Sequence, residues 1–222
     1  MNEITNSLQN DKSTRIVIYL SLVTIVYNLV AGFVSVYFGH QDKTLSLLGF
    51  GIDSFVEVIS GIGILHLALR MRKEPDLSKR DPFEDNTLRV TGTAFYLLTA
   101  GLVAGAGYDF YQGSRPNTTI AGIIIAGISI ATMYGLYKAK LSIGNKLKSR
   151  AVLADAECTK TFYSLSIVVL GSSLAYELAD VPYVDIVGGL GVAWFAYLSG
   201  KESFEKIRNR SLSSPIDEKK AE

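Results

Sequence analysis

The sequence is poor in cysteine and, over long stretches, has no charged residue at all. It contains one cysteine, which excludes a framework of disulfides within one chain. Three runs lack any aspartate, glutamate, lysine or arginine: 16–39, 90–108 and 116–137. Uncharged apolar runs of this length are typical of helices that cross a membrane, since about 20 residues span its hydrocarbon core. The absence of charge therefore argues against an ordinary soluble domain.

The sequence also lacks the motifs of the common enzyme classes. It has no glycine-rich phosphate-binding loop and no pairing of a nucleophile with a base. The sequence Gly188-Gly189-x-Gly191 is typical of close helix packing in a membrane. The basic segments between the apolar runs are better explained as determinants of membrane orientation than as contacts to nucleic acid. We therefore expect neither an enzyme nor a partner of nucleic acid.

Three further apolar stretches contain only a few charged residues, which brings the number of predicted spans to six. The spans cover residues 16–39, 44–69, 90–110, 117–138, 151–176 and 184–200. The predicted fold class is an all-α integral membrane protein with six transmembrane helices. Its parts are an N-terminal tail, a transmembrane domain and a C-terminal tail, at residues 1–14, 15–200 and 201–222.

Lysine and arginine are concentrated in alternate connections. Those on one side, together with both tails, hold 19 of these residues, whereas the other side has only Lys43 and Arg115. The 19 include the group predicted to follow the fourth span: Lys138, Lys140, Lys146, Lys148 and Arg150. Because cytoplasmic loops are enriched in lysine and arginine, both termini are predicted to be cytoplasmic. We expect a multi-pass protein of the cell (inner) membrane.

The second predicted span carries two carboxylates, Asp53 and Glu57. Four residues correspond to about one helical turn, so both acids share one face. A carboxylate at the middle of a bilayer costs roughly 2.5–3.5 kcal/mol, and two neighbouring acids repel unless a proton or a cation neutralises them. The pair predicts a site for a cation, for protons, or for both in alternation. A satisfied polar contact with no transport role is the alternative, and Asn28 in the first span fits either helix contact or a transport pathway.

The fifth predicted span offers a second set of donors. Asp155 and Cys158 are three residues apart and share a face, whereas Glu157 points elsewhere. Two helices that each supply two donors can build a four-ligand metal site. A thiolate with carboxylates suits a divalent transition metal, zinc above all. Simpler roles are also open: Asp155 as an acid near the helix end, Cys158 as a small apolar residue, and Glu157 paired with Lys160.

Four segments together resemble the cation diffusion facilitators, which are six-helix metal–proton antiporters. "LSLLGFGIDSFVEVISGIGIL" resembles their second helix, which carries an acid-x-x-x-acid pair. "SRAVLADAECTKTF" resembles the start of their fifth helix, usually S-x-A-L-x-A-D-A-x-H-x-x-x-D. "NLVAGFVSVYFG" and "VPYVDIVGGLGVAWFAYLSG" resemble the end of the first helix and the sixth helix. The order and spacing of these segments, over roughly residues 15–205, carry the resemblance.

The resemblance implies a metal site made by Asp53, Glu57 and Cys158, with Cys158 at the family's histidine position. The family's last aspartate falls on Phe162, which cannot coordinate a metal. Asp155 is the candidate replacement, or else three protein ligands act together with water. The family would imply zinc, cadmium, manganese, iron or cobalt as the transported ion, and the thiolate favours the softer of these metals.

Most members of that family carry a cytosolic ferredoxin-like domain after the sixth helix. Residues 201–222 are too few and too charged to form one, so the resemblance is to a short, transmembrane-only member. A homodimer would then be held by the helices. Two small-residue faces are candidates for that contact, 100–107 and the pair Gly122 and Ala126.

The predicted function is a zinc-type efflux antiporter coupled to protons. Its partners are the lipid bilayer, divalent metal ions and protons, and no organic cofactor is expected. The alternative is a membrane protein that binds metal in order to sense or store it, without flux. A membrane enzyme that uses the metal as a Lewis acid would need a catalytic base and a substrate pocket, for which the sequence offers no motif.

Overall fold

The computed structural model describes residues 2–73, 82–147, 150–181 and 183–212. Within these ranges the chain forms six α-helices and no β-strand. The helices are α1 (Asn2–Gln41), α2 (Leu45–Lys73), α3 (Pro82–Gln112), α4 (Ile120–Leu147), α5 (Arg150–Ala179) and α6 (Val184–Leu212). The predicted all-α class is confirmed. Each predicted span matches one helix, and most of the helices continue beyond the span toward the end of the bundle where the basic residues lie.

Five of these helices, α1 to α5, are long and apolar enough to cross a membrane over the described residues. Helix α6 is not among them. Its apolar stretch, residues 184–200, is only 17 residues long, contains Asp185 and is followed directly by Lys201 and Glu202. It nevertheless runs antiparallel to α3 along the bundle. The Tyr183 ring lies 5.5 Å from that of Phe110 at one end, and the rings of Tyr96 and Phe204 stack at 5.6 Å near the other. The sixth crossing and the cytoplasmic termini stay predictions.

The outward faces of the helices are apolar. Large hydrophobic side chains stand exposed along them, among them Val26, Phe33, Leu97, Val187 and Trp194. A continuous apolar surface of this kind is costly in water and is what a lipid-facing bundle requires. The described part of the chain is therefore built as an integral membrane protein.

Helix α2 lies at the centre of the bundle, where it packs against α1, α3, α5 and α6. The backbones of α1 and α2 approach so closely at two glycines that any side chain there would clash with the facing helix. A Cβ atom at Gly39 would lie 2.6 Å from the Leu48 nitrogen, and one at Gly51 would lie 2.7 Å from the Val36 nitrogen. Glycine lets helix backbones approach closely, which is how membrane helices gain packing energy without a hydrophobic driving force.

Asp185, at the start of α6, caps the start of α2. Its carboxylate accepts hydrogen bonds from the backbone nitrogens of Leu45, at 2.6 Å, and Ser46, at 3.3 Å, and also from the Ser46 hydroxyl. The first amide groups of a helix have no partner within the helix, so this acid satisfies two of them. The contact fixes the end of the bundle farthest from the basic residues.

We expect Asp185→Ala to lower the free energy of unfolding by about 1–2 kcal/mol, the usual effect of removing a helix cap. The measurement is thermal unfolding of the purified protein in detergent. Asp109→Ala, which removes a carboxylate near the same end of the bundle, is the matched control. Equal melting temperatures for the two variants would contradict the capping role.

Candidate metal site

Asp53 and Glu57 both lie on the face of α2 that is turned toward α5. Phe50 marks that face, since its ring lies 4.8 Å from the ring of Phe162 in α5. Asp53 and Glu57 follow Phe50 by about one and two helical turns. Asp53 is only 4% exposed and Glu57 is partly buried. The two acids of the central helix therefore face the interior of the bundle.

Asp155 lies on the matching face of α5. It precedes Phe162 by seven residues, as Glu57 follows Phe50 by seven. Helices α2 and α5 are antiparallel, so the residues that follow Phe50 and those that precede Phe162 lie on the same side of the contact between the two rings. Glu57 and Asp155 therefore lie at similar depth in the bundle. The charge of Asp155 accordingly acts on the Glu57 carboxyl group. The position that holds an aspartate in the resembling family is occupied by buried Phe162, which supplies this apolar contact instead.

Asp155 forms an ion pair with a buried lysine. The Lys140 Nζ of α4 lies 2.9 Å from the Asp155 Oδ2 and donates a hydrogen bond of 2.9 Å to the Thr159 Oγ1. The distribution of lysine and arginine in the sequence assigns Lys140 to a cytoplasmic connection, which is wrong. Lys140 lies seven residues before the end of α4, and its side chain is only 2% exposed. A lysine is almost never fully buried unless it is paired.

Cys158 lies beside a second lysine. Its Sγ accepts a hydrogen bond of 3.8 Å from the Lys206 Nζ of α6, and Lys206 also pairs with Glu202 at 2.9 Å. Burial works to lower the pKa of Lys206, but the neighbouring Cys158 sulfur and the Glu202 carboxylate raise it, and the net shift is upward. Lys206 is therefore a cation at neutral pH.

The four predicted ligands are not gathered around one point in this conformation. Among the described residues, no three histidine, cysteine, aspartate or glutamate side chains lie close enough to hold a metal ion. Asp155 and Cys158 are instead engaged with lysines, as described above. Over the same residues, Asp53 and Glu57 have neither a lysine nor an arginine in ion-pair contact. The predicted ligands thus form two groups, partnered donors on α5 and unpartnered carboxylates on α2.

The ionisable groups of this region carry an excess of negative charge that one divalent cation would neutralise. Seven ionisable groups lie in this region: Asp53, Glu57, Lys140, Asp155, Cys158, Glu202 and Lys206. Two of the four carboxylates are paired with the two lysines, so ionisation of all four carboxyl groups beside a neutral thiol leaves two negative charges on α2. Buried carboxylates without a partner are costly. One divalent ion or two protons would neutralise them.

Three further residues were open to more than one interpretation. Glu157 and Lys160 pair with each other at 3.3 Å on the exposed side of α5, so they lie outside this group. Asn28 is 1% exposed, and its Oδ1 has no hydrogen-bond partner within the described parts. That oxygen therefore does not act as a contact between helices in this conformation.

Spacing is the signal that could have revealed Lys140. The buried positions of α4 recur every three or four residues, and Lys140 continues their series. The series is Gly122, Ala126, Ser129, Met133, Leu136, Lys140, Ile143 and Gly144. The same series shows that Gly122 and Ala126 are packed inside the bundle, where Gly122 faces Ser173 of α5. This pair is therefore not a face for a second copy of the chain, contrary to the prediction.

Apolar helices around a set of buried charges define an integral multi-pass membrane protein, and one of two relatives is described as a transporter. The chain is 27% identical over 215 residues to a protein described as an uncharacterized transporter of Methanocaldococcus jannaschii, covering 86% of this chain and 75% of that protein. It is 20% identical over 184 residues to the magnetosome protein MamB of Magnetospirillum gryphiswaldense, covering 81% of this chain and 61% of MamB. No family model matches the chain. The chain thus spans three quarters of the first relative and less than two thirds of the second.

Proposed function

We propose that the chain is a transporter of divalent transition metals, of the cation diffusion facilitator type, with zinc as the favoured ion and protons as the counter-substrate. The observation that carries the proposal is the pair Asp53 and Glu57, which faces the bundle interior without a cationic partner in the described residues. The similarity to a protein described as a transporter supports it. Carboxylates held in this way at a membrane helix mark ion pathways.

The proposed site is completed by movement between α2 and α5. In the conformation described here, Asp155 and Cys158 are held by lysines. A hydrated ion that reaches Asp53 and Glu57 loses water to these carboxylates and then draws in the donors of α5. Carboxylate oxygen and thiolate sulfur together form a set that suits zinc. Rocking of helices around such a site exposes it alternately to the two sides of the membrane.

Coupling to protons follows from the charge on α2. Metal ligands must be deprotonated, so binding of the ion releases protons. After the metal leaves, protons from the opposite side neutralise the same two carboxylates. One divalent ion and two protons carry equal charge, so each can replace the other at this pair. The cycle exports metal when protons enter along their gradient.

The test of this function is flux of zinc, cadmium, manganese and cobalt in proteoliposomes with an imposed pH gradient. We expect zinc and cadmium to move, with flux that rises with the gradient and stops when an ionophore collapses it. Zinc binding without flux under any gradient would reject transport and favour a sensor or storage protein. Flux that is independent of the gradient would reject the coupling to protons.

Cys158 should set the preference of the site for soft metals. We expect Cys158→Ser to lower the flux ratio of cadmium to manganese by about tenfold, because replacing thiolate with oxygen favours the harder ion. Competition between the two metals in one proteoliposome preparation measures the ratio directly. Thr161→Ser, on the exposed side of α5, is the control for a small change on the same helix. A ratio that Cys158→Ser leaves unchanged would remove the sulfur from the site.

A further inference from the structure

The Lys140 ammonium group contacts two side-chain oxygens of α5, one from Asp155 and one from Thr159. Asp155 and Thr159 are four residues apart, so their side chains lie on one face of the helix, one turn from each other. Lys140 bridges them, with its Nζ 2.9 Å from each oxygen. The Thr159 hydroxyl in turn donates to the Asp155 backbone oxygen at 3.0 Å. All three residues are buried.

This ammonium also lies within electrostatic reach of the central helix. Lys140 acts electrostatically on the Glu57 carboxyl group. The other charged groups that act on Glu57 are Asp155 from α5 and Lys206 and Glu202 from α6. Lys206 and Glu202 neutralise each other in an ion pair at 2.9 Å. Among the described residues of this region, Lys140 is therefore the cation that contacts Asp155 of α5 and also acts on Glu57 of α2.

A purely structural role explains this lysine poorly. Removing an ion pair from water costs about as much as the attraction between its members returns, so a buried pair adds little stability over apolar residues. The lysine side chain is a point charge on a flexible stem with four carbons. Such a charge can leave one carboxylate for another with no change in the backbone.

We propose that Lys140 is a tethered cation that competes with the metal for Asp155, an inference that rests on the proposed function. When the site is empty, the ammonium neutralises Asp155 and lowers the repulsion between it and Glu57. A divalent ion must displace the ammonium in order to use the Asp155 carboxylate. When the ion leaves, Lys140 returns to Asp155 and opposes rebinding. Lys140 thus weakens metal affinity, and a transport site must hold its ion weakly enough to release it.

The test is the zinc affinity of Lys140→Met, measured by titration calorimetry on purified protein in detergent. Methionine keeps a long flexible side chain and removes the charge. We expect zinc to bind at least tenfold more tightly than to the unmodified chain. Lys138→Met is the matched control, because Lys138 lies on the same helix but stands exposed over the Tyr134 ring, and its zinc affinity should stay within twofold. Affinity in folded Lys140→Met that is equal to or weaker than that of the unmodified chain overturns the proposal.

A second variant covers the case in which methionine prevents folding. Lys140→Gln is uncharged but can still donate to Asp155 and Thr159, and the same gain in affinity is expected. If the unmodified chain transports zinc but neither variant gains affinity, the tethered cation is rejected and the transport function stands. If the variants gain affinity but the unmodified chain carries no flux, the tethered cation stands and the transport function is rejected.

Discussion

Asp53→Asn should abolish metal flux in proteoliposomes while leaving the folded protein in the membrane. The substitution keeps the size and polarity of the side chain and removes one of the two negative charges on α2 that lack a cationic partner in the described residues. The ion then loses one of its four proposed ligands, and a neutral amide that cannot take up a proton in the return step replaces the carboxylate. We expect at least a 100-fold loss of flux, because even indirect partners of a metal site lower its affinity by about 10–100-fold when they are replaced.

The matched control for Asp53→Asn is Asp180→Asn. Asp180 is exposed in the connection between α5 and α6, where its φ of 46° is a conformation that asparagine adopts readily. The control should transport like the unmodified chain. Elution as a single symmetric peak in size-exclusion chromatography shows that each variant is folded. Full flux by folded Asp53→Asn would contradict the role assigned to the carboxylate.

Gly39→Ala should strongly destabilise the bundle, because it adds a methyl group where the backbones of α1 and α2 approach closely. The new Cβ would lie 2.6 Å from the backbone nitrogen and 2.8 Å from the Cα of Leu48. Backbone atoms cannot rotate away as a side chain can, so α1 and α2 must separate. Overpacking usually lowers the free energy of unfolding by about 1–3 kcal/mol. Because α1 must move away from the central helix, we expect a loss of about 3 kcal/mol or more.

Gly101→Ala is the control for that prediction. Gly101 lies in α3 with no atom within 4 Å of its added Cβ, and alanine is the better helix former by about 0.8–1.0 kcal/mol. Its melting temperature in detergent should equal or exceed that of the unmodified chain, while that of Gly39→Ala should fall. If both variants melted alike, the close approach of α1 and α2 would not matter for stability.

The fold was predictable because lipid imposes a simple requirement on sequence. A helix in hydrocarbon needs a long run without charge, and the runs at 16–39, 90–108 and 116–137 identify three helices directly. The other three helices contain charged residues, such as buried Asp53 and Asp155 and exposed Glu157, so no uncharged run of that length marks them. Helix α6 shows the limit of this signal. It packs along α3 over the length of the bundle, although its own composition is less apolar than that of the other helices.

The partners of the site residues were harder to predict than the residues themselves. Helical spacing predicts that Asp53 with Glu57, and Asp155 with Cys158, share faces, because spacing is a local property. Ion pairs between helices depend on register, which the sequence of one helix does not contain. Lys140 and Lys206 therefore looked like ordinary basic residues near the inner surface, although each faces a predicted ligand.

The central claim is that α2 and α5 supply ligands to the same ion, and zinc X-ray absorption spectroscopy of the loaded protein tests it most directly. We predict one sulfur at about 2.3 Å together with oxygens at about 2.0–2.2 Å. The sulfur should disappear in Cys158→Ser, and zinc occupancy should fall sharply in Asp53→Asn. Bound zinc that has no sulfur ligand and is unaffected by Asp53→Asn would contradict the account.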